Sequence, residues 1–224
     1  MNLGTLFIVA TPIGNLADIT LRALDTLKTV DCILCEDTRM TGRILEHYQI
    51  ATKTLSYHQH SDSKKVQEIA HLLQSGQNLA LVTDAGTPGI SDPGNRLIAD
   101  LYAWLPELVV ATIPGASAVV AALSISGFPT DRFLFLGFPP HKKKRQKFFV
   151  EVADSQYTAV FYESSHRITK ALLELQTVLP PDRMVCVCRE LTKKFETVYR
   201  GTINEIIERG ISEKGEFVVL VRGD

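Results

Sequence analysis

The feature that most constrains the fold is a rhythm: a short apolar run, a loop carrying glycine or proline, an amphipathic segment, and then the same again. Runs this short have strand length rather than helix length. In the first half they fall at 5–11, 31–37, 53–58, 78–84 and 109–113, and helical spacing covers 19–30, 38–48, 63–74 and 95–104. Within 19–30, Ile19, Leu21, Ala23, Leu24, Leu27 and Val30 make a broad apolar face, with Asp18 expected as its N-cap. Strands that alternate with helices predict a mostly parallel sheet covered on both faces. A further helix over 116–126 ends at Gly127, and the glycine–proline punctuation there predicts a boundary between domains 1–127 and 128–224.

Beyond that point the rhythm changes. Strands are predicted at 133–138, 158–163, 184–191, 196–201 and 215–222, with helices at 142–153, 165–179 and 203–208. Thr202 and Glu205 have capping-box spacing at the last helix. The close succession of strands between 184 and 201 predicts antiparallel pairing, hence a mixed second sheet. The fold class is therefore α/β, in two α/β domains.

The 45% hydrophobic content supports a real core, and the net charge of −1 means that any nucleic-acid contact must come from a local patch. The first residues hold one short apolar run with no basic stretch before it, which is neither a signal peptide nor a membrane anchor, so the cytosol is the expected location. Cys32 with Cys35 and Cys186 with Cys188 have spacings that invite a zinc reading. Both pairs lie in strand-like runs, however, and a strand turns Cys32 and Cys35 to opposite faces, which is wrong for joint ligation. The cysteines are expected to be buried thiols, with no metal.

Ligands of open α/β sheets bind outside the carboxyl ends of the strands. Three loops at such positions stand out: TPIGNL at 11–16, DAGTPGISDPG at 84–94 and PGASA at 114–118. Glycines admit close backbone approach, and prolines limit the entropy lost on binding. No loop has the Walker pattern or a G-x-G-x-x-G after a strand, and no lysine or arginine follows Asp84 and Asp92 until Arg96. That composition disfavours a polyphosphate and suits a ligand with a cationic centre, ribose hydroxyls and an apolar ring. The only dense basic run, Lys142, Lys143, Lys144, Arg145 and Lys147, follows the predicted strand end at Gly137–Pro140 and is expected to contact phosphates of any nucleic acid bound there.

These loops, together with Cys35-Glu-Asp-Thr-Arg39, Glu163-Ser-Ser-His-Arg167, Cys188-Arg-Glu-Leu-Thr-Lys193, Glu196 and Gly215-Glu216, occur in an order that resembles the tetrapyrrole methylase-like (class III) methyltransferases over essentially the whole chain. Within that family the resemblance is to its ribosomal RNA methyltransferases. It implies S-adenosyl-L-methionine bound between two α/β domains, a homodimer, and 2′-O-methylation of a cytidine in 16S rRNA of the small ribosomal subunit. The alternative is a small-molecule enzyme of the same class acting on a tetrapyrrole. The implied cofactor contacts are Pro12, Gly14, Asp84, Ala85, Gly86, Gly89, Ile90, Ser91, Pro114, Gly115, Ala116, Ser117, Ala118, Tyr162, Glu163 and Leu191.

A ribose hydroxyl is a weak nucleophile and benefits from a base. Glu163, His166, Glu190 and Glu196 are candidates, while Arg167, Lys193 and Lys194 could hold the adjacent phosphate; the catalytic set is taken as Glu163, Arg167, Lys193 and Glu196. Glu163 and Arg167 also have the spacing of a simple helix-start ion pair. His58, His60 and His166 are read as solvated or packed histidines. Two departures from the family pattern are visible: Ser61 stands where asparagine is usual, and relatives commonly continue into a basic segment where this sequence stops at Asp224.

Overall fold

The computed structural model describes residues 3–58, 61 and 63–224. The chain divides into two compact units, 1–117 and 118–224. The division falls one helix earlier than Gly127, because the helix before that glycine packs on a strand of the second unit.

The first unit is built from β1 (Leu6–Val9), α1 (Leu21–Thr29), β2 (Cys32–Cys35), α2 (Thr38–His47), β3 (Thr54–Ser56), α3 (Ser63–Gln74), β4 (Leu79–Leu81), α4 (Gly94–Trp104) and β5 (Val110–Ile113). Its sheet has the order β3-β2-β4-β1-β5, and every pair is parallel. The inner strands β2 and β4 are buried at every residue, as expected of a parallel sheet covered on both faces. Strand alternation sends Leu6, Ile8, Cys32 and Leu34 into a core with α3 and α4, and Val9, Ile33 and Cys35 into a second core with α1 and α2. Cys32 and Cys35 thus lie on opposite faces. The N-cap of α1 is Thr20, whose Oγ1 accepts from Ala23 N at 3.1 Å, and not Asp18, which lies in a 3₁₀ turn over Leu16–Asp18.

The second unit comprises α5 (Ala118–Ser126), β6 (Phe133–Phe135), α6 (Arg145–Ala153), β7 (Thr158–Ser164), α7 (Ile168–Val178), β8 (Met184–Arg189), β9 (Thr197–Thr202), α8 (Ile203–Arg209) and β10 (Glu216–Val221). The sheet order is β6-β7-β10-β8-β9, with β6–β7 parallel and the other pairs antiparallel, so the sheet is mixed. One face carries α6, α7 and α8 over a core that includes Phe148, Phe149 and Phe161, whose rings meet edge to face. α5 packs on β10. The capping box is present, with Glu205 N bonded to Thr202 Oγ1 and Thr202 N to Glu205 Oε2. Among the described residues, no helix is long and apolar enough to cross a membrane.

Candidate functional site

Topology decides where a ligand can reach the first sheet. The loop after β1 leads to α1 on one face, whereas the loop after its neighbour β4 leads to α4 on the other. Neighbouring strands whose connections leave in opposite directions open a crevice at their carboxyl ends.

The three glycine- and proline-bearing loops meet there. Thr11 and Gly86 exchange backbone hydrogen bonds of 2.9 and 3.1 Å, and the buried Thr11 Oγ1 donates to Thr83 O at 3.0 Å. Thr87 Oγ1 donates to Ala116 O at 3.2 Å, which ties the second loop to the third. Gly86 has φ +85°, a conformation that strains any residue with a side chain. Asp92 holds its own loop, accepting from Gly89 N at 2.8 Å and Gly94 N at 2.7 Å. Pro12, Gly86 and Pro88 are buried in this framework, while Gly14, Asp84, Ala85, Ile90, Ser91, Pro114 and Gly115 are exposed on it; Gly89, Ala116, Ser117 and Ala118 are half-buried.

The charge here is negative. Although the residue is exposed, partial desolvation of its carboxyl raises Asp84 above its ordinary range, against the hydrogen bond from Asp37 N at 3.3 Å. Glu36, at the carboxyl end of β2, is pushed up first by burial and then by Asp84 and Asp92. Asp37 caps α2 and is held at about 2 by its hydrogen bonds from Arg39. Glu36 is not among the sequence candidates; what marks it in the sequence is its place directly after an apolar strand, in the Cys35–Arg39 motif. A rim of main-chain groups and carboxylates accepts hydroxyls and a positive centre, and repels phosphate.

The loop end of the second sheet is built differently. The loop at 137–140, the end of β7 running into α7, the turn after β8 and the approach to β10 come together there: Tyr162 N bonds to Gly137 O, Arg167 Nη1 to Pro139 O, and Glu190 N to Glu216 O. At its centre is Glu163, with a fully buried side chain. Its Oε1 meets Arg167 Nη2 and Ser164 N, both at 2.8 Å, and its Oε2 meets Arg145 Nη2 at 3.4 Å. Arg145 also reaches Glu174 at 2.7 Å and Pro140 O at 3.2 Å, and lies over the Phe149 ring.

This arrangement corrects the phosphate-contact expectation for Arg145. Lys144, at φ +66°, turns the chain so that the first residue of α6 points inward, and the Arg145 side chain is only 5% exposed. Lys142, Lys143, Lys144 and Lys147 remain exposed, with no carboxylate paired to them among the described residues. Glu163 and Arg167 form the ion pair that their spacing allowed, and the enclosed carboxylate is out of reach of a substrate hydroxyl.

Lys193 bonds to Glu190 at 2.9 Å and Glu216 at 2.6 Å. Burial pulls its ammonium down, but those bonds outweigh it and keep the group firmly protonated. The turn is tight: Glu190 and Thr192 have positive φ, Glu196 Oε2 accepts from Thr192 N, and Thr192 Oγ1 is the one buried side-chain polar atom without a partner among the described residues. Leu191 is buried and Glu196 exposed. Tyr162 is half-buried against Phe135 and Phe138, with its hydroxyl at Val119 N beside Ala118 at the start of α5. His166 is exposed, and His60 lies outside the described residues.

A model of the tetrapyrrole (corrin/porphyrin) methylases matches residues 5–207. The chain is 48% identical to the ribosomal RNA small subunit methyltransferase I of Synechocystis sp., over 99% of this chain and 80% of that protein. It is 42% identical to the protein of that name from Escherichia coli O157:H7, over 98% of this chain and 78% of the relative. Uroporphyrin-III-C-methyltransferase from Thermus thermophilus superposes with a TM-score of 0.68 at 17% identity, over 98% of this chain and 94% of that one. A cobalt precorrin-4 methyltransferase gives 0.67 at 17% identity, over 97% and 94%. Likeness at that identity establishes the two-sheet fold, and the closer relatives establish the lineage. The chain belongs to the tetrapyrrole (corrin/porphyrin) methylase family, as a methyltransferase that draws its methyl group from S-adenosylmethionine.

Proposed function

We propose that the protein methylates the ribose 2′-hydroxyl of a cytidine in 16S rRNA of the small ribosomal subunit. The observation that carries this reading is the near-full-length identity to relatives named for ribosomal RNA of the small subunit. The site residues are consistent with it. The first unit offers S-adenosylmethionine what its parts need: carboxylates at Asp84 and Glu36 toward a sulfonium, a glycine at Gly86 that lets backbone approach closely, and Ile90 and Pro114 as apolar surface. Pro12, Gly14, Ala85, Gly89, Ser91, Gly115 and Ser117 complete that contact set.

The sulfonium supplies an activated methyl group, so the protein mainly aligns the acceptor and excludes water. Among the four catalytic candidates, Glu163 acts as a positioning residue that fixes Arg167 and the 137–140 loop. Arg167 and Lys193 supply positive charge near the acceptor phosphate. Glu196 is the exposed carboxylate of the set, with one oxygen engaged by Thr192 N, and it takes the proton. Lys142, Lys143, Lys144 and Lys147 contact RNA phosphates. The enzyme acts as a homodimer in the cytoplasm, where ribosomal subunits are assembled; the exposed Val120 and Ile125 on α5 are apolar surface available for association.

The test uses purified protein, methyl-labelled donor and small subunits from cells lacking this modification. Label should enter 16S rRNA and survive alkali in a dinucleotide containing cytidine, because a 2′-O-methyl group blocks cleavage of that linkage. Label in a base, in another RNA, or only in an added tetrapyrrole would overturn the reading.

A further inference from the structure

Beside the Glu163 ion-pair cluster lies an open groove of about 450 Å³, lined by Ser165, His166, Thr169, Glu213, Lys214 and Gly215. None of these residues belongs to the cofactor loops or to the exposed lysine run. The groove is organised. Thr169 Oγ1 donates to Glu213 Oε1 at 2.6 Å, which fixes that carboxylate and leaves its second oxygen available. The Lys214 carbonyl is held by Arg189 Nε. Gly215 has φ +116°, and a Cβ there would sit 2.5 Å from Glu190 Cγ, so the groove wall is pressed against the turn that carries Lys193.

The lining selects the ligand. A simple anion would be drawn by Lys214 and His166 but opposed by Glu213, and a simple cation would meet the reverse. A ligand with a phosphate at one end and amino or hydroxyl donors at the other satisfies both. The volume lies within the range of small-ligand sites, roughly 300–1,000 Å³. The groove is open, as a polymer passing through it requires.

We propose that this groove holds one nucleotide of single-stranded RNA flanking the methylated residue, with His166 and Lys214 on its phosphate and Glu213 and Ser165 on its base or ribose. The inference rests on the reading of RNA as the substrate. Recognition of RNA by splayed, unpaired nucleotides is the usual route to sequence preference.

The test is steady-state methylation of unmethylated small subunits by H166A/K214A and by E213Q, with S-adenosylhomocysteine affinity measured alongside. For H166A/K214A the KM for subunits should rise about five- to tenfold, equivalent to one charge-assisted contact. Its kcat should stay within about twofold, and the log–log salt slope of RNA binding should shrink by about one. E213Q keeps the bond to Thr169, so it should raise KM by about two- to threefold with the salt slope unchanged. S-adenosylhomocysteine should bind all three proteins equally, which certifies their folding. Photo-cross-linking of 4-thiouridine-substituted 16S rRNA should label the 164–170 or 211–216 peptide. Methylation by both variants with unaltered KM and salt slope would overturn the groove while leaving the function intact. Failure of the unaltered protein to methylate RNA would overturn both.

Discussion

The loop end of the first sheet is tied together by main-chain hydrogen bonds and carries a few carboxylates; the loop end of the second carries arginines and lysines with the glutamates that hold them. The first is rigid through its backbone, with Thr11 bonded to Gly86, Thr87 to Ala116, and Asp92 stapling Gly89 and Gly94. The second is rigid through buried charge, with Glu163 between Arg145 and Arg167. A small cofactor with a positive centre needs close backbone approach and negative potential, whereas a polyanion needs fixed positive groups. The two ends therefore fail in different ways when altered.

The largest expected effect is on stability. E163A removes the buried carboxylate shared by Arg167 and Arg145 and leaves Arg145 only Glu174, and breaking a buried ion pair from one side costs about 3–5 kcal/mol. Urea unfolding should show a loss of that size, and E163Q should also be destabilised while the folded fraction still turns over. A collapse of kcat at unchanged stability would instead make Glu163 the base and erase the contrast.

Next is D92A. It removes two backbone hydrogen bonds to a carboxylate, each worth about 1.5–3 kcal/mol, and frees the 84–94 loop. Calorimetry should show S-adenosylhomocysteine affinity falling more than about tenfold, with RNA affinity unchanged.

A purely electrostatic change sharpens the other side. Replacing Lys142, Lys143, Lys144 and Lys147 with alanine should shrink the salt slope of RNA binding by up to about 0.7 per lysine. Stability should stay within about 0.5 kcal/mol, since these side chains are exposed. Arg145 is left out of this set because its loss would unfold the region.

The smallest effect is one of pH. Glu36 and Asp84 have carboxyls raised mainly by burial. An acid raised in the folded state binds more protons there than when unfolded, so its contribution to stability is present at low pH and lost as pH rises through the raised folded value. For a cationic ligand the sign reverses, and affinity should climb as both groups ionise, somewhat above the ordinary carboxylate range. D84N should flatten that rise, and an identical pH profile in D84N would remove Asp84 from the ligand's surroundings.

The first unit was the more legible in sequence because its information is local. Fully buried parallel strands read as unbroken apolar runs, and the loops that matter carry glycines and prolines whose backbone demands show in single residues. Even there the N-cap of α1 is ambiguous in sequence, because Asp18 and Thr20 both have capping chemistry and only geometry chooses Thr20. In the second unit the decisive facts are distant. Nothing in a run of basic residues says that the fourth turns inward onto a carboxylate eighteen positions later. The pairing of Glu190 and Lys193 with Glu216 depends on β8 and β10 being neighbours. Gly127 is the conspicuous breaker in the sequence, whereas the packing of α5 on β10 puts the boundary before α5. The position of Glu36 directly after β2 is visible in the sequence, but the influence of Asp84 and Asp92 on its carboxyl depends on the fold.

The most direct test of this division of labour is two-substrate kinetics on D92A and on K142A/K143A/K144A, varying S-adenosylmethionine and small subunits independently. D92A should raise KM for the methyl donor and leave KM for subunits unchanged, and the triple lysine variant should do the reverse. Variants that raise both constants together would contradict it, because donor and RNA would then share one set of contacts.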